Sequence, residues 1–369
     1  MHDPRTEKVA DLMVHYSLGV QPGERVMIQG GIGGEPLMSE ICKKVIQAGG
    51  FPMFVPYYSE YFENIFQYAK PANFDALLKP YLDMASTFEH RVYVYGDNNT
   101  KYASQFNPDI TSKYYAAAAK VTDMMLKREA AGEMHWVLSL FPTNAYAQDA
   151  GMPLRDYEDF VYNAILPDKD DPVSYWEKVK ARQDKVVDWL KGKKQVHVTA
   201  PGTDLSLSVE GRPFINCSCE VNVPDGEVFT SPIENSANGY VHFTYPTVYQ
   251  GYEVTNVRLE FEDGKVVKAT ADKNEDFLLS KLDTDPGARL LGEFAIGTNE
   301  GIDRFTGNIL FDEKIGGSFH LAVGHGYPEA KTQNDSAIHW DMICDLRDGG
   351  EITVDGELFY KNGNFVIDF

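Results

Sequence analysis

The hydrophobic rhythm of this 369-residue chain changes near residue 190. Up to that point, strand-sized apolar runs alternate with helix-sized ones. Glu24–Gln29 (ERVMIQ) follows a Pro22-Gly23 turn and reads as a strand. Glu35–Gln47 then has helical spacing and ends at Gly49-Gly50, and Phe51–Tyr57 reads as a second strand. This is a β-α-β unit. Arg91–Tyr95 and His135–Phe141 add strands, and 59–68, 108–131 and 173–191 add helices. Such alternation predicts a parallel α/β domain. Beyond 190 the runs shorten and two-residue turns take over. Gln195–Ala200 and Asp204–Val209 flank Pro201-Gly202, and Asn256–Phe261 and Lys265–Thr270 flank Asp263-Gly264. Asp-Gly between alternating runs is a strong hairpin signal. Asp355-Gly356 and Asn362-Gly363 repeat it at the end. The expectation is two domains: 1–190, α/β with a parallel sheet, and 191–369, α+β and rich in antiparallel strands. The length also exceeds what one hydrophobic core commonly serves.

Charge narrows the function classes. Net charge is −21, with no compensating basic run. Such a chain repels phosphate backbones and anionic lipid, so neither nucleic acid nor membrane is an expected partner. Four cysteines without a paired C-x-x-C framework argue against a structural zinc site and suit a reducing compartment. The N-terminus reads as an amphipathic helix without the apolar core of a signal peptide. A cytoplasmic protein is expected.

Several features could carry chemistry. The cluster Gly30-Gly31-Ile32-Gly33-Gly34 sits where a phosphate loop would, after a strand and before a helix. It lacks the Lys-Ser/Thr of a nucleotide loop and the dinucleotide spacing, so a tight structural turn is the better account. His2, His15, His90 and His135 are scattered and suit surface or satisfied core positions. The segment 334–347 reads NDSAIHWDMICDLR. If 337–344 is a strand, His339 and Asp341 share one face and Trp340 points into packing. Alone, this is better read as a surface pair. His320 ends a strand-like run in GGSFHLAVGHGYPE, before a Gly-rich loop carrying Tyr327. Glu227 follows the Pro224-Asp225-Gly226 turn, and Glu293 interrupts the apolar run LLGEFAIG. A carboxylate inside such a run is costly to bury unless a cation or donor meets it. Two histidines and three acids in one domain fit a single cysteine-free metal site. Three converging carboxylates repel one another, and two divalent cations would more than balance them.

These segments resemble the thermophilic aminopeptidase T family of metallopeptidases, which includes bacterial aminopeptidases of the S type. The resemblance spans nearly the whole chain. It rests on VQPGERV near the N-terminus, DYEDF at 156–160, PDGEVFTSP, LGEFAIGTN, the histidine and YPE of HLAVGHGYPE, and HWDMICDL. It implies a dinuclear metal site built from Glu227, Glu293, His320, His339 and Asp341, with Tyr327 nearby. It implies zinc, cobalt, manganese or magnesium as the two ions, a homodimer, and removal of N-terminal residues from short peptides by a metal-activated water. From the chemistry alone, and apart from the resemblance, Glu293 is expected to bridge the ions or act as general base, since both roles need a carboxylate at the water, and Tyr327 to donate to the developing oxyanion. The segment between Tyr327 and His339 is shorter than in some members, which bears on substrate range.

Two rival readings use the same residues. His320, His339 and Asp341 are the two imidazoles and one carboxylate of a mononuclear non-haem iron site, and a ring-cleaving dihydroxypyridine dioxygenase is similar to this peptidase family. Glu227 and Glu293 favour the peptidase, because such an iron does not need them. The third reading is a non-catalytic peptide-binding protein, and the intact ligand set argues against it.

Overall fold

The computed structural model describes residues 3–103, 105–168 and 170–367. His2 lies outside them. The chain forms two compact units, Met1–Val173 with Cys219–Val223, and Ser174–Ser218 with Pro224–Phe369.

The first unit is built on a five-stranded sheet. Its order is Phe51–Tyr57, Arg25–Gly31, His90–Tyr95, His135–Leu140 and Asn222–Val223, and every pairing is parallel. Val26, Met27, Ile28, Val92, Val94, Val137 and Leu140 are buried, as befits strands covered on both faces. Leu37, Met38, Ile41 and Val45 line the buried stripe of the helix Glu35–Gln47. The glycine cluster proves to be a packing device. A Cβ on Gly31 would lie 2.6 Å from the Gly96 carbonyl oxygen, and one on Gly96 would lie 2.3 Å from the Gly34 nitrogen. Bare backbones let the ends of the first and third strands touch there.

The second unit holds two large antiparallel sheets besides the two-stranded pair Thr247–Tyr249 and Tyr252–Val254. One has eight strands in the order Lys265–Thr270, Arg258–Glu262, Asn238–His242, Thr203–Ser208, Gln195–Ala200, Glu351–Val354, Glu357–Lys361 and Asn364–Phe365. The other has five: His339–Asp345, Ser318–Gly324, Leu291–Gly297, Glu227–Thr230 and Ile215–Cys217. Alternate residues of both sheets enter one core, Val196, Val198, Leu205 and Leu259 from the first, Phe294, Phe319, Leu321 and Met342 from the second. Asp263 and Gly264 take φ of +47° and +85°, as a two-residue hairpin turn requires. The strand expected from Asn256 begins later, at Arg258. Asn256 has φ +55°, a left-handed conformation that no strand residue adopts.

The units divide between Val173 and Ser174 rather than near 190. Val186 and Leu190 of the helix Pro172–Leu190 belong to the core of the second unit. The chain also returns once, because Asn222–Val223 extends the parallel sheet beside His135–Leu140. Neither feature shows in local periodicity.

Candidate metal centre

One face of the five-stranded sheet enters the core, and the other carries the chemistry. In Ser318–Gly324, Phe319, Leu321 and Val323 are core residues, so His320 and Ala322 face the other way. His320 lies within this strand and not at its end, as the sequence had suggested. The neighbouring strand begins at His339 and pairs Asp341 with Ala322 and His339 with Gly324. Trp340 points into the core as expected, 2% exposed and stacked on Tyr249 at 5.0 Å. Its indole nitrogen donates to Thr247 Oγ1 at 2.7 Å, and Thr247 Oγ1 donates to the Asp341 carbonyl at 2.9 Å.

Glu293 reaches this face through a β-bulge. Leu291 pairs with Val323, and Glu293 pairs with Ala322, so Gly292 is the extra residue. Leu291 is a core residue. Without the bulge, alternation would turn Glu293 to the core as well, and the inserted residue re-aims it. Only glycine fits, since a Cβ would stand 2.2 Å from the His325 carbonyl oxygen and 2.5 Å from that of Gly324. Glu227 opens its strand opposite Gly297, just after the Pro224-Asp225-Gly226 turn. Its carbonyl accepts from Gln183 Nε2 at 3.0 Å. Ala322 stands between Glu293 and Asp341 across the three strands.

The five residues named from the sequence come together. His320 Nε2 stands 3.6 Å from Glu227 Oε2 and 3.4 Å from Glu293 Oε1. His339 Nε2 stands 3.6 Å from Glu293 Oε2 and 3.3 Å from Asp341 Oδ2. Two triads result, Glu227–Glu293–His320 and Glu293–His339–Asp341, each with its ligand atoms within 4.8 Å of one another. Glu293 belongs to both. Tyr327 lies at the rim, 41% exposed, its ring 5.1 Å from that of His339 and 5.6 Å from that of Phe229.

The electrostatics are those of a cluster short of cations. Burial pushes the Glu293 carboxyl pKa up, against His320. Burial alone would lower His320, but the hydrogen bond to Glu293 and the charges of Glu227 and Glu293 hold it up at about 9. His339 is likewise held at about 10 despite burial, chiefly by Asp341. Burial would raise Asp341, and the charge and hydrogen bond of His339 take it down to about 2. Glu227 Oε2 and Asp341 Oδ1 are buried with no hydrogen-bond partner, which is costly for carboxylate oxygens without a cation. The His339 Nδ1 side meets the His325 carbonyl at 2.7 Å. A proton there leaves Nε2 with its lone pair toward the carboxylates, the usual outer support of a metal-binding imidazole. Three carboxylates and two imidazoles therefore fit a divalent ion of hard to borderline character.

Sequence reasoning missed two neighbours, Glu313 and Lys314. Burial pushes the Glu313 carboxyl up to about 7, with Lys314 opposing and Glu227 and Asp341 reinforcing. The Lys314 ammonium is 0% exposed and paired with Glu313. Their signal was present in LFDEKIGG, where charges interrupt an apolar run as Glu293 does.

The pattern of one known family, described as thermophilic metalloprotease (M29), matches residues 2–365. "Aminopeptidase 2" of Geobacillus stearothermophilus is 29% identical over 98% of each chain. Among solved structures, wild-type AmpT from Thermus thermophilus shares the fold with a TM-score of 0.87, at 23% identity over 99% of each chain. The 2,5-dihydroxypyridine dioxygenase of Pseudomonas putida KT2440 shares it more loosely, with a TM-score of 0.58 at 13% identity over 99% of this chain and 96% of that one. With the two sheet types, the buried carboxylate–imidazole cluster and a match across almost its whole length, this chain belongs to the M29 family of thermophilic metalloproteases.

Proposed function

We propose that this protein is a metal-dependent aminopeptidase that removes the N-terminal residue of short peptides, using two divalent ions. The observation that carries the reading is the position of Glu293. Its two oxygens face different imidazoles, His320 at 3.4 Å and His339 at 3.6 Å. A carboxylate so placed belongs to both ligand triads and would contact both ions. Glu227 and His320 complete one triad, and His339 and Asp341 the other. Zinc, cobalt, manganese and magnesium all suit oxygen and nitrogen donors of this kind.

When bound, such a pair of ions supplies Lewis acidity that polarises the scissile carbonyl and activates a water. The chain's own residues do the rest. The His325 carbonyl fixes the tautomer of His339. Tyr327, whose ring stands 5.1 Å from that of His339, offers a phenol able to donate to a developing oxyanion. A cytoplasmic homodimer belongs to the same reading and rests on the resemblance and on the sparse cysteines.

The test is metal analysis of the purified protein alongside hydrolysis of leucine amide and of short peptides with free or blocked N-termini. Two ions per chain and cleavage restricted to free N-termini are expected. One iron per chain, with oxygen consumption on a dihydroxypyridine, would replace this reading with the dioxygenase, which needs neither Glu227 nor Glu293.

A further inference from the structure

The first unit holds a cation without a counterion. Arg91 lies in the strand His90–Tyr95, opposite Met27 of Arg25–Gly31. Its Nε and one Nη donate to Gln29 Oε1 at 3.3 and 2.9 Å, and the other Nη donates to Met125 Sδ at 3.3 Å. Both acceptors are neutral. A guanidinium has five N–H donors, so two are left over. Among the described residues no carboxylate pairs with it. Arg5, Arg25 and Arg128 of the same unit each meet one, in Asp3, Glu89 and Glu133. A chain of net charge −21 has acids to spare, and none is placed at Arg91. Burial pushes its pKa down, yet arginine keeps its proton in proteins. The charge stays, and it is costly to enclose unpaired.

The guanidinium borders a cavity of about 130 Å³ within this unit. Gln29 and Arg91 form its polar end. Leu78 of the helix Phe74–Ala85 and Tyr114 and Val121 of the helix Pro108–Ala130 supply apolar wall, and Leu78 and Tyr114 are buried. None of the residues lining it is acidic. The volume lies below the roughly 300–1,000 Å³ of sites for drug-sized ligands and far above the roughly 10–15 Å³ that one water needs. A peptide is too large for it, and one small molecule fits.

We propose that this cavity binds a short-chain monocarboxylate, whose carboxylate pairs with Arg91 and whose apolar tail packs against Leu78, Tyr114 and Val121. The planar guanidinium fork matches a carboxylate with two parallel hydrogen bonds, and two donors are available for them. The apolar wall favours a ligand with a tail over a bare inorganic anion. The site uses none of the five candidate metal ligands, so the inference does not rest on the two-ion reading.

The experiment is a calorimetric titration of the full chain with sodium butyrate, at constant ionic strength, together with melting temperatures at rising butyrate. Butyramide serves as the uncharged analogue and sodium chloride as the bare anion. Wild type, Arg91→Gln and Ala118→Leu are compared; Ala118 lines the cavity, and the larger side chain fills it while leaving the charge in place. Wild type is expected to bind one butyrate per chain and to melt higher with it. Arg91→Gln is expected to bind butyrate at least about tenfold more weakly, and Ala118→Leu to lose the binding. Butyramide and chloride are expected to raise no melting temperature. Butyrate held by metal ions would survive Arg91→Gln and vanish on chelation, and that result overturns the proposal. So does a wild type that takes up no butyrate, as an arginine serving packing alone would give, or one that takes up butyramide or chloride as well as it takes butyrate. Should Arg91→Gln fail to fold, Ala118→Leu still decides: wild-type binding that it abolishes upholds the site, and binding that it leaves intact overturns it.

Discussion

Replacing Glu293 with Gln removes one charge and turns one ligand oxygen into an N–H donor. Glu293 is 4% exposed, so water cannot simply take over its place. A pair of unit charges about 4 Å apart, at an effective dielectric of about 20, attracts by about 4 kcal/mol. A divalent ion doubles that figure. The amide oxygen of Gln keeps one contact, and neighbouring ligands recover part of the other, leaving a loss of roughly 4 kcal/mol per ion. At about 1.4 kcal/mol per factor of ten, metal affinity falls by about three orders of magnitude. The assay has two arms. Ion content is measured after dialysis against graded free metal, and leucine amide hydrolysis is measured at saturating metal. The first arm reads affinity, and the second reads what the bridge contributes once the ions are present. Affinity within tenfold of wild type, together with undiminished turnover, would refute the bridging role. An unchanged circular dichroism spectrum is expected throughout, because the substitution preserves shape.

Other consequences follow from the same geometry. Gly292→Ala drives a Cβ into the carbonyl oxygens of His325 and Gly324; a loss of about 1–3 kcal/mol in denaturant melts and of metal-dependent hydrolysis is expected. Tyr327→Phe removes one donor and should lower kcat by about a hundredfold to a thousandfold while ion content stays that of wild type. Thr247→Val orphans the buried Trp340 indole nitrogen and should cost about 1–3 kcal/mol, read by the same melts. In the metal-free chain the pH profile has a definite sign. His339 at about 10 lies above its ordinary 6.5, so its contribution is complete below pH 6.5 and is lost as pH rises toward 10. Asp341 at about 2 lies below its ordinary 3.8, so its contribution is complete above pH 3.8 and is lost as pH falls toward 2. Melts of metal-free protein should lose stability as pH rises from 6.5 to 10, Asp341→Asn should make that loss smaller, and a wild-type profile flat over that range would contradict the pairing.

Much of the architecture was legible because its signals are local. The β-α-β start at Arg25–Tyr57 appears in the structure close to where periodicity puts it. The Asp263-Gly264 hairpin follows from a dipeptide that tolerates positive φ. Strand alternation alone put His339 and Asp341 on one face and Trp340 on the other. The five candidate ligands could be named as well, Glu293 because a carboxylate interrupts an apolar run, and the set as a whole because its motifs resemble those of a known family.

Tertiary structure decided what depends on distant partners. That Glu293 faces the imidazoles and not the core comes from the bulge at Gly292, a register shift against Ser318–Gly324. Periodicity within Leu291–Gly297 cannot reveal it, since register belongs to a pair of strands. The helix Pro172–Leu190 looked like the end of the first domain, and its Val186 and Leu190 are buried in the second core. The meeting of Glu313–Lys314 with Gly297, opposite Glu227, joins segments far apart in sequence through backbone contact. The sequence by itself determined which residues have the chemistry to bind divalent ions, because donor type is a property of the residue. Which of them come within reach of one another was decided by strand register and burial, because these exist only once the sheets have paired.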